Sequence, residues 1–157
     1  MLGLYRVATT LLAPVVRLHL VSRRARGKED RRRFAERLGQ AGRARPEGRL
    51  VWVHGASVGE SLSILPLVAR ILERATRPTH VLVTTGTVTS ARLMGERLGA
   101  NAFHQYAPVD LPGPARAFLD HWRPDLVLWV ESEFWPNLLS ETQARKIPSA
   151  LIQGRVS

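Results

Sequence analysis

Three short segments hold the side chains that could do chemistry. Gly55-Ala56-Ser57-Val58-Gly59-Glu60 sets a carboxylate three residues after a serine, and Glu131-Ser132-Glu133 sets two carboxylates two residues apart. Thr84-Thr85-Gly86-Thr87-Val88-Thr89-Ser90 gathers hydroxyls around a glycine. An acid at position 60, in the first turn of a helix, complements the helix dipole. At the mouth of a crevice the same carboxylate can take a proton as a general base. Glu131 and Glu133 follow an apolar run, so they must face water, a cation or hydrogen-bond donors. Their plainer role is to start a helix, with Ser132 or Glu133 near its cap. The threonine run can bind a sugar or phosphate, and it caps the next helix in either case.

Gly55 to Gly59 also fits the G-x-S-x-G nucleophile elbow, so a serine hydrolase acting through Ser57 is an alternative. The chain order weighs against it. Such hydrolases run Ser, then Asp/Glu, then His, yet the last histidine is His121 and only Asp110 or Asp120 could precede it. The turn is not a P-loop, because Glu60 stands where the phosphate-binding lysine belongs, and it lacks the G-x-G-x-x-G dinucleotide pattern. Histidines 19, 54, 80, 104 and 121 show no HExxH or HxH spacing, and there is no cysteine. No metal site and no cofactor is therefore expected.

The elements that position these segments follow from hydrophobic periodicity. Strands are expected at Leu50–His54, His80–Thr85, Ala102–Tyr106, Asp125–Val130 and Ser149–Ile152. Helices are expected at Val58–Arg74, Thr89–Leu98, Pro114–His121 and Pro136–Arg145. Near-continuous apolar strands alternating with helices imply a doubly wound α/β domain with a parallel sheet covered on both faces. Ligands in such sheets sit beyond the carboxyl ends of the strands. Segments 55–60, 84–90, 107–110, 131–136 and 153–157 leave those ends, and three of them carry the polar clusters above.

The chain has 157 residues and a net charge of +10, unevenly spread: residues 1–49 carry +9 and residues 50–157 only +1. The N-terminus is apolar (Leu2, Leu4, Val7, Leu11, Leu12, Val15, Val16, Leu18, Leu20, Val21) and meets the basic run Arg23-Arg24-Ala25-Arg26-Gly27-Lys28. That length approaches a membrane span, with Arg6, Pro14, Arg17 and His19 as interruptions. Spanning or lying in the interface, the segment would leave the rest on the cytoplasmic side. The alternative is a helix packed on the domain. Residues 29–49 read as a short charged helix ending near Gly39, followed by a Gly/Pro/Arg linker. The division is thus 1–22 membrane anchor or interfacial helix, 23–49 basic helix and linker, and 50–157 the α/β domain. A third class, a binding module whose arm holds nucleic acid, is disfavoured because the arm lacks interleaved aromatics.

Five segments together resemble one family: WVHGASVGE (52–60), VLVTTGTVTSARL (81–93), YAPVDLPG (106–113), RPDLVLWVESEFWPNLL (123–139) and IPSALIQGRVS (147–157). They are similar to the N-terminal half of bacterial 3-deoxy-D-manno-octulosonic acid (Kdo) transferases, in the same order. Departures are Gly55, where a larger small residue is common, Gly86-Thr87-Val88, and Gln153-Gly154 before the arginine. The resemblance implies a Rossmann-like domain, the first of two in a GT-B glycosyltransferase. It implies transfer of Kdo from CMP-Kdo to the lipid A precursor lipid IV(A), at the cytoplasmic face of the inner membrane, without a catalytic metal. It assigns Glu60 as proton acceptor and Glu131 as transition-state stabiliser. Ser57, Gly59, Thr84, Thr85, Thr87, Glu133 and Arg155 are the expected acceptor-binding residues. The expected partners are that lipid, CMP-Kdo held by a C-terminal domain outside residues 1–157, and an anionic membrane surface, with no nucleic acid. Residues 1–157 alone are expected to be inactive in transfer.

Overall fold

The computed structural model describes residues 2–130 and 135–152. Glu131, Glu133 and Arg155 lie outside the described residues. Five parallel strands form one sheet: β1 (Arg49–His54), β2 (Thr79–Thr85), β3 (Ala102–Tyr106), β4 (Leu126–Val130) and β5 (Ser149–Ile152). Their spatial order is β3-β2-β1-β4-β5, with Trp52 opposite Leu82 on one side and Val127 on the other. The chain moves one way from β1 to β3, then returns past β1 to place β4 and β5. The switch point lies between β1 and β4, where doubly wound sheets open a crevice at their carboxyl ends.

Period-two alternation divides the core between the two faces. Leu50, Trp52, Leu82, Phe103, Val127 and Trp129 face helices α5 (Pro112–Trp122) and α6 (Pro136–Ala144), where they meet Phe118, Leu119, Trp122 and Leu138. Val51, Val53, Val81, Val83, Leu128 and Val130 face the opposite way. They meet Ile64, Val68 of α3 (Leu65–Glu73) and Met94 of α4 (Val88–Arg97). The Trp52 ring centroid lies 4.8 Å from that of Phe118 and 5.1 Å from that of Trp129, so the aromatic centre of the core sits under the β1–β4 switch point.

The long helix expected over Val58–Arg74 is two helices. A short α2 (Val58–Ser63) ends at Ile64, and α3 begins with Leu65-Pro66. Proline is favoured in the first turn of a helix and costly in an interior, and Pro66 sits in the first turn of the new one. The charged helix expected before Gly39 is only a five-residue 3-10 turn, Phe34–Leu38, closed by Gly39 at φ 85°. Its polar side chains serve the edge of the sheet instead. Glu36 accepts the Tyr106 N–H at 2.8 Å, and Arg33 donates to the His104 carbonyl at 2.9 Å, so two side chains cap the outer backbone of β3.

Helix α1 (Leu2–Ala25) runs unbroken through Pro14. One face lies on the body. Tyr5 donates to Asp110 at 3.0 Å, Arg6 pairs with Glu141 at 2.6 Å, and Asn137 donates to Thr9 at 3.2 Å. Further along, Val16 and Leu20 pack with Val109 and Leu111, and Arg23 pairs with Glu29 at 2.7 Å. The other face leaves Leu4, Val7, Leu11, Val15 and Leu18 in the open, with Leu11 75% exposed. These positions recur every three or four residues, which gives a continuous apolar stripe.

Candidate active site

The loop after β1 is built around Glu60. Ser57 caps α2, its Oγ accepting the Glu60 N–H at 3.2 Å while donating to Glu60 Oε1 at 3.0 Å. Glu60 Oε2 accepts the Ala56 N–H at 2.7 Å. This reciprocal cap orders the first turn and holds the carboxylate in one place. Glu60 is half-buried, while Ser57 and Gly59 are exposed, and nothing stands within 4 Å of where a Gly59 side chain would be. The carboxylate is therefore preorganised by two donors of its own loop, the Ala56 N–H and the Ser57 hydroxyl.

The loop after β2 lies beside it. The Gly55 N–H donates to the Thr84 carbonyl at 3.1 Å, which joins the two strand ends. Thr87 is exposed and caps α4, accepting the Ser90 N–H at 3.1 Å. Thr84 and Thr85 are different: β2 extends through both, and each is fully buried. Thr84 Oγ1 accepts from the Trp52 indole at 2.8 Å and is 2.9 Å from His54 Nδ1. Thr85 Oγ1 lies 2.8 Å from both Ser90 Oγ and His104 Nε2. Ser57, Gly59, Glu60 and Thr87 thus gather on neighbouring loops at the carboxyl ends of β1 and β2, with Thr84 and Thr85 in the layer beneath them.

Ser57 has no catalytic partner of the hydrolase kind. Its Oγ engages only Glu60 among the described residues, and its backbone is ordinary extended chain at the cap. Asp110 is occupied by Tyr5 and by the N–H groups of Asn137 and Leu138, and Asp120 by Arg145. His54 is buried under the crevice, and burial, helped by the positive charge of Arg37, pushes its pKa down to about 4. His121 Nε2 bonds the Arg43 carbonyl. The hydrolase reading has no support in this geometry.

The roles of four residues at this end escaped sequence reasoning. Asp110 caps α6 from 26 residues before it, accepting the Leu138 N–H at 2.9 Å through Oδ1 and the Asn137 N–H at 3.2 Å through Oδ2. Trp135 stands edge-on to His54, ring centroids 5.7 Å apart. His54 Nε2 and Trp129 Nε1 are buried without hydrogen-bond partners among the described residues. The only advance signal was position: all four lie in the last residues of a strand or shortly after one. Among the described residues no group of three or more His, Asp or Glu is placed to hold a metal ion.

Comparison with known proteins adds to this geometry. Residues 32–157 match the family described as 3-deoxy-D-manno-octulosonic-acid transferase (Kdo transferase). The chain is 36% identical over 98% of its length to a probable mitochondrial 3-deoxy-D-manno-octulosonic acid transferase of Arabidopsis thaliana. It is 37% identical to the transferases of Rickettsia bellii, over 100% of its length, and Bordetella pertussis, over 99%. It spans 34% of the first relative and 37% of the other two.

Proposed function

The chain belongs to the 3-deoxy-D-manno-octulosonic acid transferase family, and from that premise we propose that it forms the acceptor-side domain of a GT-B Kdo transferase. The reaction is transfer of Kdo from CMP-Kdo to lipid IV(A). Glu60 takes the proton from the acceptor hydroxyl as that oxygen attacks the anomeric carbon of Kdo. The bond from that carbon to the CMP phosphate breaks, and the electron pair leaves with CMP. Glu131, the first residue after β4, supplies negative charge to the oxocarbenium-like centre. Ser57, Gly59, Thr87, Glu133 and Arg155 contact the acceptor, with Thr84 and Thr85 contributing from beneath. The donor sugar is held outside residues 1–157, so this part alone transfers nothing.

One observation carries the reading: Glu60 is fixed by its capping bonds at the carboxyl end of β1, beside the β1–β4 switch point. Helix α1 supports it independently. It is long and apolar enough to cross a membrane, but its polar face is committed to the body from Tyr5 to Arg23. We assign it to the interface of the inner membrane's cytoplasmic face, apolar stripe inward, so that the crevice meets a substrate that stays in the bilayer. Of the proposed domain limits, residues 1–22 fall within this docked helix and 23–49 form the basic connector to residues 50–157.

The test is full-length transferase carrying Glu60→Gln. The variant keeps the cap's shape, so it should bind the lipid acceptor normally, while transfer falls about 10²- to 10⁴-fold, the usual contribution of a general base. Turnover at the normal rate would remove Glu60 from this role.

A further inference from the structure

A second cavity, of about 450 Å³, opens at the β3 edge, away from the crevice. Segment 32–43, β3 and the end of α5 enclose it, and Arg32, Arg33, Arg43, Phe103, Gln105 and Trp122 are among its walls. Gln105 is 2% exposed. Its Oε1 accepts a 2.8 Å hydrogen bond from the Trp122 indole. An indole N–H can only donate, so this bond fixes which end of the amide is oxygen. The other end, Nε2, is a buried donor with no hydrogen-bond partner among the described residues. Such a group calls for an acceptor atom from whatever occupies the cavity.

The charges on the walls say which kind of acceptor. Arg33 is already used, donating to both oxygens of Glu36 at 2.8 and 2.9 Å and to the His104 carbonyl. Glu36 is the one carboxylate on the described lining, and its second role is to accept the Tyr106 N–H. Arg32 and Arg43 have no carboxylate partner among the described residues. Arg43 is held by its guanidinium lying 4.3 Å from the Phe103 ring centroid, a contact that orients the group and leaves its charge uncompensated. Two guanidiniums without a carboxylate partner and the side chain whose amide N–H is orphaned therefore line one cavity.

We propose that this cavity binds a phosphomonoester. A phosphate dianion matches two guanidiniums in charge, accepts forked hydrogen bonds from them, and has oxygens to spare for Gln105 Nε2. The group can belong to a small soluble molecule or to a lipid headgroup. This binding is independent of the role given to Glu60, and loss of either leaves the other standing.

The experiment uses the 157-residue chain in two arms, both at fixed ionic strength. In the first, glycerol 3-phosphate is titrated while the Gln105 side-chain amide and Trp122 indole resonances are followed. In the second, flotation with vesicles containing phosphatidic acid, a phosphomonoester, is compared with vesicles containing phosphatidylglycerol, a diester. Saturable shifts of both resonances assign a soluble phosphomonoester; preference for phosphatidic acid alone assigns a lipid headgroup. In either case Arg32→Gln with Arg43→Gln, both at exposed positions, should weaken that binding about tenfold or more. No saturable shift together with no preference between the vesicles overturns the proposal, as does equal binding by the double variant.

Discussion

Replacing Glu141 by alanine should loosen α1 from the body. Glu141 on α6 is 5% exposed and serves three arginines from three helices or their ends. Its Oε1 lies 2.6 Å from Arg6 of α1 and 3.4 Å from Arg116 of α5, and its Oε2 lies 2.7 Å from Arg145. Arg145 keeps Asp120 at 2.6 Å when the carboxylate is gone, but Arg6 and Arg116 have no other ion-pair partner among the described residues. Breaking a fully buried pair costs about 3–5 kcal/mol. Here the arginine side chains are partly exposed and can rehydrate, so about 0.5–1 kcal/mol for each lost pair is the better scale. The sum over the three pairs is about 2 kcal/mol, roughly a third of it on the docking of α1. Urea unfolding measures the total, and amide hydrogen exchange along α1 measures the local share. Exchange should quicken from Tyr5 toward Ala13, where the pair with Arg6 and the Thr9 contact lie, and less near Leu20, which packs on Val109 and Leu111. A Glu141→Ala protein within about 0.5 kcal/mol of the parent, with α1 exchange unchanged, would refute the clamp and leave the apolar seam as the sole tether.

Acid should destabilise the fold before carboxylates begin to titrate. Burial, with Arg37 and Arg33 respectively adding to it, pushes His54 down to about 4 and His104 to about 3. Both are protonated near pH 6.5 once unfolded, so stability is complete above that pH and falls as pH drops toward 4, on the order of 3 kcal/mol for each; urea midpoints that stay flat over this range would contradict it. Gly39→Ala should cost about 2–4 kcal/mol in the same assay, because φ 85° strains any side chain and a Cβ there runs into the Pro114 carbonyl. Leu11→Glu with Leu18→Glu should leave thermal stability within about 1 kcal/mol yet abolish flotation with anionic vesicles, since both side chains face outward. Undiminished flotation would take α1 out of the membrane reading.

The strands were legible because burial on both faces leaves apolar runs such as Leu126–Val130 that only a covered parallel sheet explains. The rim was legible for a related reason: polar side chains directly after such runs have to sit at strand ends, as Ser57, Glu60 and Thr87 do. Thr84 and Thr85 looked equivalent to them, but the strand continues two residues past the apolar pattern, so their hydroxyls are spent on Trp52, His54, Ser90 and His104. What sequence could not display were pairings across long separations. Nothing local to Asp110 marks it as the cap of α6, and nothing near Glu36 marks it as an acceptor for β3. Helix propensity over 29–39 lost to those distant partners, whereas the break at Ile64 had a local sign in Pro66.

The side chains of Arg33 and Glu36 do more than satisfy two backbone groups. By occupying the outer N–H of Tyr106 and the outer carbonyl of His104, they deny a template to any extended peptide approaching β3. The opposite border, β5, has three of its four residues exposed and no comparable cover among the described residues. The sheet is therefore directional: added strands, whether from the same polypeptide or from a neighbouring molecule at high concentration, are admitted at β5 and refused at β3. Removing the guard with Glu36→Ala would make growth possible at both borders, turning a sheet that ends into one that can propagate.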